Sequence, residues 1–238
     1  MNVWMYIVYM LHDAVHLCKF NQDAHALHSL DVAAALWIGD NQNIGGGSAH
    51  PHSLYAMAES MGGVFGQKGD DGETRVNSKI IHLFNKAKYM FEQEQCSASN
   101  PHGSFNAYEQ LRIMVDDIVA QMNVPLLQKL IREMRSNTDK FRLDLYAMSV
   151  LPQLVGCNNN TFYFMMNELV TNQFQDRNFE VMWSIIQRSL SCLRLTCEDI
   201  GVYKGEARVT SCINNPKKEV LSGYVPTTDN STEVSPSF

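Results

Sequence analysis

The stretch that decides the fold is FNAYEQLRIMVDDIVAQMNVPLLQKLIREM, residues 105–134. Its apolar side chains recur at steps of three and four residues, the spacing of an α-helix that buries one face. They are Phe105, Tyr108, Leu111, Val115, Ile118, Met122, Leu126, Leu127, Leu130, Ile131 and Met134. Asn123 is a suitable N-cap and Pro125 suits a first helical turn. We therefore expect two helices that meet at Asn123.

The same periodicity recurs over most of the chain and predicts an all-α, multi-helix bundle-like domain with glycine-rich loops. Asp139 is placed to cap another helix, which Pro152 ends. The further predicted helices are Met5–Phe20, Gln22–Ile38, Pro51–Met61, Asn77–Glu94, Thr161–Phe174 and Phe179–Leu193. Composition changes after Cys212, so we divide the chain into a helical domain, residues 1–215, and a disordered linker or tail, residues 216–238.

Composition limits the classes of function. The chain has 238 residues, 45% hydrophobic and 18% charged, which is enough apolar material for a sizeable core. Its formal net charge of -6 argues against a nucleic-acid partner. The apolar N-terminus lacks a basic leader and a small-residue cleavage site, so we expect a fragment or a trimmed chain.

Catalytic motifs are missing from the sequence. It contains neither a Gly-x-Ser-x-Gly elbow nor a His-Glu-x-x-His pair. We therefore expect a protein that is not an enzyme, although a metal-dependent hydrolase assembled from distant segments stays a weaker alternative. The glycine-rich loops 41–48 and 66–73 lack a preceding strand, and we interpret them as solvated turns rather than nucleotide or calcium sites.

Two sets of residues at helical spacing have side chains that can bind a metal ion. His25, His28 and Asp31 follow one another at three-residue steps, which places two imidazoles and a carboxylate along one helix surface. The alternative is a partly exposed polar face on which Asp31 pairs with a neighbour. Tyr55 and Glu59, four residues apart and preceded by His52, offer the phenolate and carboxylate donors that ferric iron accepts. The alternative is that Tyr55 is a core residue and that Glu59 is a cap or a solvated side chain.

Asp144 lies in the apolar run of residues 141–148. If its carboxylate is buried it must form an ion pair or bind a metal, and Arg142 or a neighbouring helix could supply the partner. Two Asn-x-Ser/Thr sequons, at Asn159 and Asn230, are candidate glycosylation sites in loop-like segments.

Several segments in succession resemble one known family. They are Leu30-Asp31-Val32-Ala33-Ala34-Ala35-Leu36-Trp37-Ile38-Gly39, Ser53-Leu54-Tyr55-Ala56-Met57-Ala58-Glu59 with Phe65-Gly66, Val76-Asn77 through Leu83-Phe84 to Cys96, Met122-Asn123-Val124-Pro125-Leu126-Leu127-Gln128, Ala147-Met148-Ser149-Val150-Leu151-Pro152 with Cys157, and Cys197-Glu198-Asp199-Ile200-Gly201 with Cys212. Together they are similar to the algal iron-assimilating, low-iron-inducible periplasmic proteins, which are related to phytotransferrins. The chain departs from that pattern at His50-Pro51-His52 and in lacking a secretion signal.

The resemblance implies a periplasmic, secreted or cell-surface helical glycoprotein, often in tandem copies, that assists iron uptake without being an enzyme. The implied ligand is ferric iron with an accompanying carbonate, and the implied partner is a cell-surface uptake protein. Disulfide candidates are Cys96, Cys157, Cys192, Cys197 and Cys212, and their pairing stays open, since six thiols allow 15 combinations.

The acids found by helical spacing fall inside the family-like stretches or next to them. We therefore predict Asp31, Tyr55, Glu59 and Asp144 as metal ligands, with His25 and His28 as adjuncts. A shared site requires Asp31 to lie within about 10 Å of Tyr55 or Glu59. The rival hypothesis is a structural or interaction module of the cell surface, which would bind no metal.

Overall fold

A computed structural model describes residues 2–39, 53–96, 104–136, 139–172 and 179–203. Within these ranges the chain is helical apart from turns and one isolated antiparallel bridge between Lys68 and Thr74, which confirms the all-α prediction. The α-helices are α1 (Asn2–Lys19), α2 (Asp23–Ile38), α3 (Leu54–Val64), α4 (Arg75–Glu92), α5 (Ser104–Ser136), α6 (Lys140–Val150), α7 (Asn159–Met166), α8 (Phe179–Ser189) and α9 (Cys197–Ile200).

Helix α5 is the centre of the bundle. It packs against α1, α3, α4, α6, α8 and α9, whereas α1 and α2 form the most extensive pair at one side. Every residue from 120 to 128 is buried. A helix that is apolar on one face only would leave part of each turn exposed, so burial all round is the mark of a central helix.

The predicted break at Asn123 is wrong, because α5 continues through Pro125 to Ser136. Asn123 is buried and does not cap a helix. Its side-chain amide exchanges hydrogen bonds with that of Gln153, whose Nε2 donates to Asn123 Oδ1 at 2.8 Å.

Burial explains why the helix tolerates the proline. A proline inside a helix costs about 3 kcal/mol through the lost hydrogen bond and the steric conflict. Val124, Leu126 and Leu127 are buried in the same turn. Each contributes roughly 1.5–3 kcal/mol when removed from water, so packing of this turn outweighs the proline penalty.

The structure also tests the predicted ends of α6 and α7. Asp139 caps α6 by accepting hydrogen bonds from the backbone of Phe141 and Arg142, as expected. The helix then passes into a 3-10 turn that contains Pro152. α7 is shorter than the predicted Thr161–Phe174 and gives way to a π-helical turn at Asn167–Thr171.

Two disulfides staple the bundle. Cys18 at the end of α1 is bonded to Cys96 after α4, with Cα atoms 5.1 Å apart. Cys157 before α7 is bonded to Cys192 after α8, with Cα atoms 5.8 Å apart. Cys197 is also disulfide-bonded, and Cys212 lies outside the described residues. Cys18 was not among the disulfide candidates predicted from the sequence.

Asn159 is exposed at the first position of α7, where a glycan would have access. Asn230 and the predicted linker 216–238 lie outside the described residues, as do His52 and the loop 41–48. In the part of the chain that the structure describes, none of the helices combines the length and apolar character required to span a bilayer.

Candidate functional site

The loop between α3 and α4 presents the densest polar arrangement of the bundle. Its two arms are joined at Lys68 and Thr74, and Gly69 N donates to Glu73 O at 2.8 Å. Gly72 closes the turn with a φ of 82°, a conformation that favours glycine. Thr74 then caps α4 with its side chain. The loop is therefore a closed hairpin that sets Glu73 and Thr74 beside α3.

Glu59 holds this loop to α3. Its Oε1 accepts hydrogen bonds from Thr74 N at 3.0 Å, from Thr74 Oγ1 at 2.9 Å and from Asn77 Nδ2 at 2.8 Å. Its Oε2 lies 3.5 Å from Lys68 Nζ. A largely buried carboxylate with this many donors is a structural acceptor, which matches the alternative interpretation of Glu59 as a cap.

Asn77 joins three helices through one side-chain amide. Its Oδ1 accepts from Trp37 Nε1 of α2 at 3.2 Å, and its Nδ2 also donates to the carbonyl of Tyr55 in α3 at 3.2 Å. Trp37 and Asn77 are fully buried. We call Trp37, Tyr55, Glu59, Thr74 and Asn77 the Asn77 network.

The phenol of Tyr55 points out of this network toward the loop. Its hydroxyl donates to Glu73 Oε1 at 2.8 Å, and Ser78 Oγ donates to Glu73 Oε2 at 3.0 Å. Burial raises the pKa of the Tyr55 phenol strongly, and the hydrogen bond to Glu73 raises it further. Tyr55 is therefore a neutral hydrogen-bond donor at any ordinary pH.

A cavity of about 420 Å³ lies on the other side of Glu73. Residues with acidic and basic side chains surround it, although apolar atoms form most of its surface, and the residues are Gly69, Asp70, Asp71, Glu73, Arg75, Ser78 and Lys79. Asp71 Oδ1 accepts a hydrogen bond from Glu73 N at 3.0 Å, which fixes the turn. Glu73 thus stands between the buried phenol and an open, charged cavity.

Residues 198–202 form hydrogen bonds with the end of α3, with the loop between α3 and α4, and with α5. Gln67 Nε2 donates to the carbonyl of Glu198 at 2.8 Å, Gln128 Nε2 donates to that of Ile200 at 2.7 Å, and Val202 N donates to Phe65 O at 3.0 Å. Contacts from α9 therefore reach both the loop and α5.

Asp199 provides the charged contact of this segment. Burial alone would raise its pKa, but hydrogen bonds from Lys79, Thr196 and Gln121 hold the pKa at about 2. Thr196 and Asp199 also form a reciprocal capping box at the start of α9. The Thr-x-x-Asp spacing is visible in the sequence, so this contact is one that pattern reasoning could have found.

The structure brings together two of the six predicted ligands. Tyr55 and Glu59 meet in the Asn77 network. Asp144 forms an ion pair with Lys140 Nζ at 2.8 Å, within its own helix. Arg142, the partner suggested by the sequence, pairs with Asp139 instead.

His25, His28 and Asp31 are all exposed on α2. Across the described ranges, no group of three or more His, Cys, Asp or Glu side chains is arranged to hold a metal ion. Sequence reasoning missed Glu73 and Asn77, because both gain their roles from contacts with α3 and α2 that no local spacing reveals.

No protein-family model, curated protein or solved structure matches the chain. The similarity to the algal iron-assimilating proteins therefore stays a prediction based on the segments quoted above.

Proposed function

We propose that this chain is a non-catalytic domain that binds ferric iron outside the cytoplasm and assists iron uptake, with Tyr55 and Glu73 as the centre of its site. The observation that supports this proposal is the 2.8 Å contact between the Tyr55 hydroxyl and Glu73 Oε1 beside the charged cavity. Phenolate and carboxylate oxygens are hard donors suited to a small, highly charged cation.

The donor chemistry fits the ion, although a site would need more ligands than this pair. Among the described residues no three acidic side chains are arranged to hold a metal ion, so further ligands would have to come from an accompanying carbonate, which Arg75 could face, or from Asp70 and Asp71 after a rearrangement of the loop. Because the pKa of Tyr55 is raised, only a strong Lewis acid would displace its proton. Binding should therefore release that proton and weaken as the pH falls.

The disulfides support the proposed compartment. Disulfides persist in secreted, periplasmic and cell-surface proteins and are rare in a reducing cytosol. Cys18–Cys96 and Cys157–Cys192 both join residues that are far apart in the sequence. We propose the periplasm or cell surface as the location, with Asn159 as a glycan site.

Calorimetric titration with ferric nitrilotriacetate, with and without bicarbonate, tests the proposal. We expect Tyr55→Phe to weaken binding by about tenfold or more, since it removes one anionic ligand. Tyr89→Phe is the matched control, because Tyr89 is an exposed tyrosine on α4. Absence of binding by the unmodified protein, or equal affinities for all three proteins, would contradict the proposal.

Asp31→Ala distinguishes this site from the larger set predicted from the sequence. Asp31 is exposed on α2, whereas Tyr55 is buried in α3. A site centred on Tyr55 and Glu73 keeps its affinity in Asp31→Ala. A site that included Asp31, His25 and His28 would lose affinity in that variant and in His28→Ala.

A second candidate function, an interaction module that binds no metal, is favoured by one surface of α6. Phe141, Leu145 and Met148 follow one helical row and are 86%, 52% and 41% exposed. Rows of this kind mark protein contacts. The simplest such interaction is self-association through this row. Sedimentation of the unmodified protein and of Leu145→Glu over a wide concentration range tests it.

A further inference from the structure

The two fully described disulfides differ in their access to solvent. Cys18 and Cys96 are 3% and 2% exposed and belong to the hydrophobic core. Cys192 is exposed and Cys157 is half-buried. Thiol–disulfide exchange requires a thiolate to approach one sulfur along the S–S axis, so access strongly affects its rate.

The Cys157–Cys192 disulfide also borders a cavity of about 410 Å³. The cavity is formed by the start of α7 and the end of α8, and its polar lining includes Asn158, Thr161 and Arg188. The cavity therefore gives a reductant room to approach the disulfide.

Helix α7 is the helix that this disulfide connects to the end of α8. Its main packing partners are the 3-10 turn before it and the π-helical turn after it. Met165 is its only buried residue among the eight of the helix. Segments with few buried contacts open at a small free-energy cost, so a covalent link to α8 contributes a large share of the order of α7.

We propose that Cys157–Cys192 is a redox-sensitive latch on α7, opened by a dithiol reductant under conditions in which Cys18–Cys96 stays closed. This inference is independent of iron binding. The reductant's thiolate attacks Cys192 Sγ, a mixed disulfide forms and the Cys157 thiolate leaves. The second thiol of the reductant then displaces Cys192, so that the reductant is oxidised to a disulfide and two cysteine thiols, carrying two protons, are produced.

Differential alkylation of the folded protein tests the selectivity. The full chain is incubated with increasing dithiothreitol under native conditions, its new thiols are blocked with iodoacetamide, and the remaining disulfides are reduced in denaturant and blocked with a heavy reagent. Trypsin separates the six cysteines into peptides 1–19, 89–112, 143–177, 189–194, 195–204 and 209–217. Each cysteine is therefore measured by itself.

We expect Cys157 and Cys192 to be labelled about tenfold faster than Cys18 and Cys96, because exchange follows access. Equal rates for the two disulfides, or faster labelling of Cys18 and Cys96, would overturn the proposal.

Limited proteolysis tests the consequence for α7. Chymotrypsin has three adjacent targets in this helix, Phe162, Tyr163 and Phe164. We expect cleavage there to rise at least about fivefold after selective reduction, and equally in the Cys157→Ser/Cys192→Ser variant, because both remove the covalent link to α8. Should that variant fail to fold, the reduced unmodified protein supplies the same readout. Unchanged cleavage after reduction would show that the disulfide does not order α7 and would overturn the latch.

Discussion

Asn77 is buried, and both ends of its side-chain amide are occupied by partners from other helices. It connects Trp37 in α2 with the backbone of Tyr55 and the carboxylate of Glu59 in α3. The loop that carries Glu73 is therefore positioned by a residue that belongs to neither the loop nor the proposed metal site.

Replacing Asn77 should destabilise the whole bundle. Asn77→Ala leaves the indole N–H of Trp37 and the carbonyl of Tyr55 without this partner, and each unsatisfied buried group costs about 1–3 kcal/mol. We expect a loss of roughly 2–4 kcal/mol in the free energy of unfolding, measured by urea denaturation. Asn85→Ala, at an exposed position of the same helix, is the control. Similar unfolding midpoints for the two variants would contradict the role of Asn77.

Two adjacent glycines in α3, Gly62 and Gly63, provide a substitution and its matched control. A Cβ at Gly62 would overlap Thr74 Cγ2, whereas a Cβ at Gly63 would meet only Lys68 Cε, at 3.5 Å. We expect Gly62→Ala to lower stability by about 1–3 kcal/mol through overpacking. Gly63→Ala should be neutral or stabilising by up to about 1 kcal/mol, because alanine favours the helix. Thermal unfolding followed by circular dichroism measures both, and the opposite order would disprove the close approach of α3 to Thr74.

At the scale of elements, α9 is attached to α4 and α5 through the ion pair and hydrogen bonds of Asp199. The pKa of this carboxyl falls from 3.8 to about 2 on folding. A lowered folded-state pKa adds stability above the unfolded pKa, and that stability disappears as the pH falls through the folded value. The contribution is about 2 kcal/mol when fully present.

Asp199→Asn should reveal this contribution as a pH-dependent difference. We expect the unmodified protein to be more stable than the variant above about pH 4, and the difference to shrink toward zero as the pH approaches about 2. Urea denaturation at several pH values measures it. A difference that stays constant over this range would mean that the Asp199 charge contributes nothing to the attachment of α9.

At the scale of the whole molecule, Cys18–Cys96 links chain positions 78 residues apart. Closing a loop of that length restricts the unfolded chain, which corresponds to about 4 kcal/mol of stability. We expect Cys18→Ser/Cys96→Ser to lower the unfolding free energy by roughly that amount, as measured in guanidinium chloride. A loss below about 1 kcal/mol would show that packing alone holds these two segments in place.

The sequence was informative where structure depends on local spacing. Helix periodicity predicted the all-α fold, and Asp139 correctly marked the start of α6. The continuation of α5 through Pro125 could not be predicted, because it depends on the helices that surround that turn. Glu73 looked like part of a solvated turn for the same reason: its link to Tyr55 spans 18 positions of the chain.

The central claim is that Tyr55 supplies a phenolate to ferric iron, and visible absorption spectroscopy tests it most directly. A phenolate bound to ferric iron gives a charge-transfer band that neither the free protein nor a carboxylate-bound iron shows. We expect this band on adding ferric nitrilotriacetate and bicarbonate, and we expect Tyr89→Phe to retain it and Tyr55→Phe to lose it. A spectrum without the band, or a band that persists in Tyr55→Phe, would contradict it.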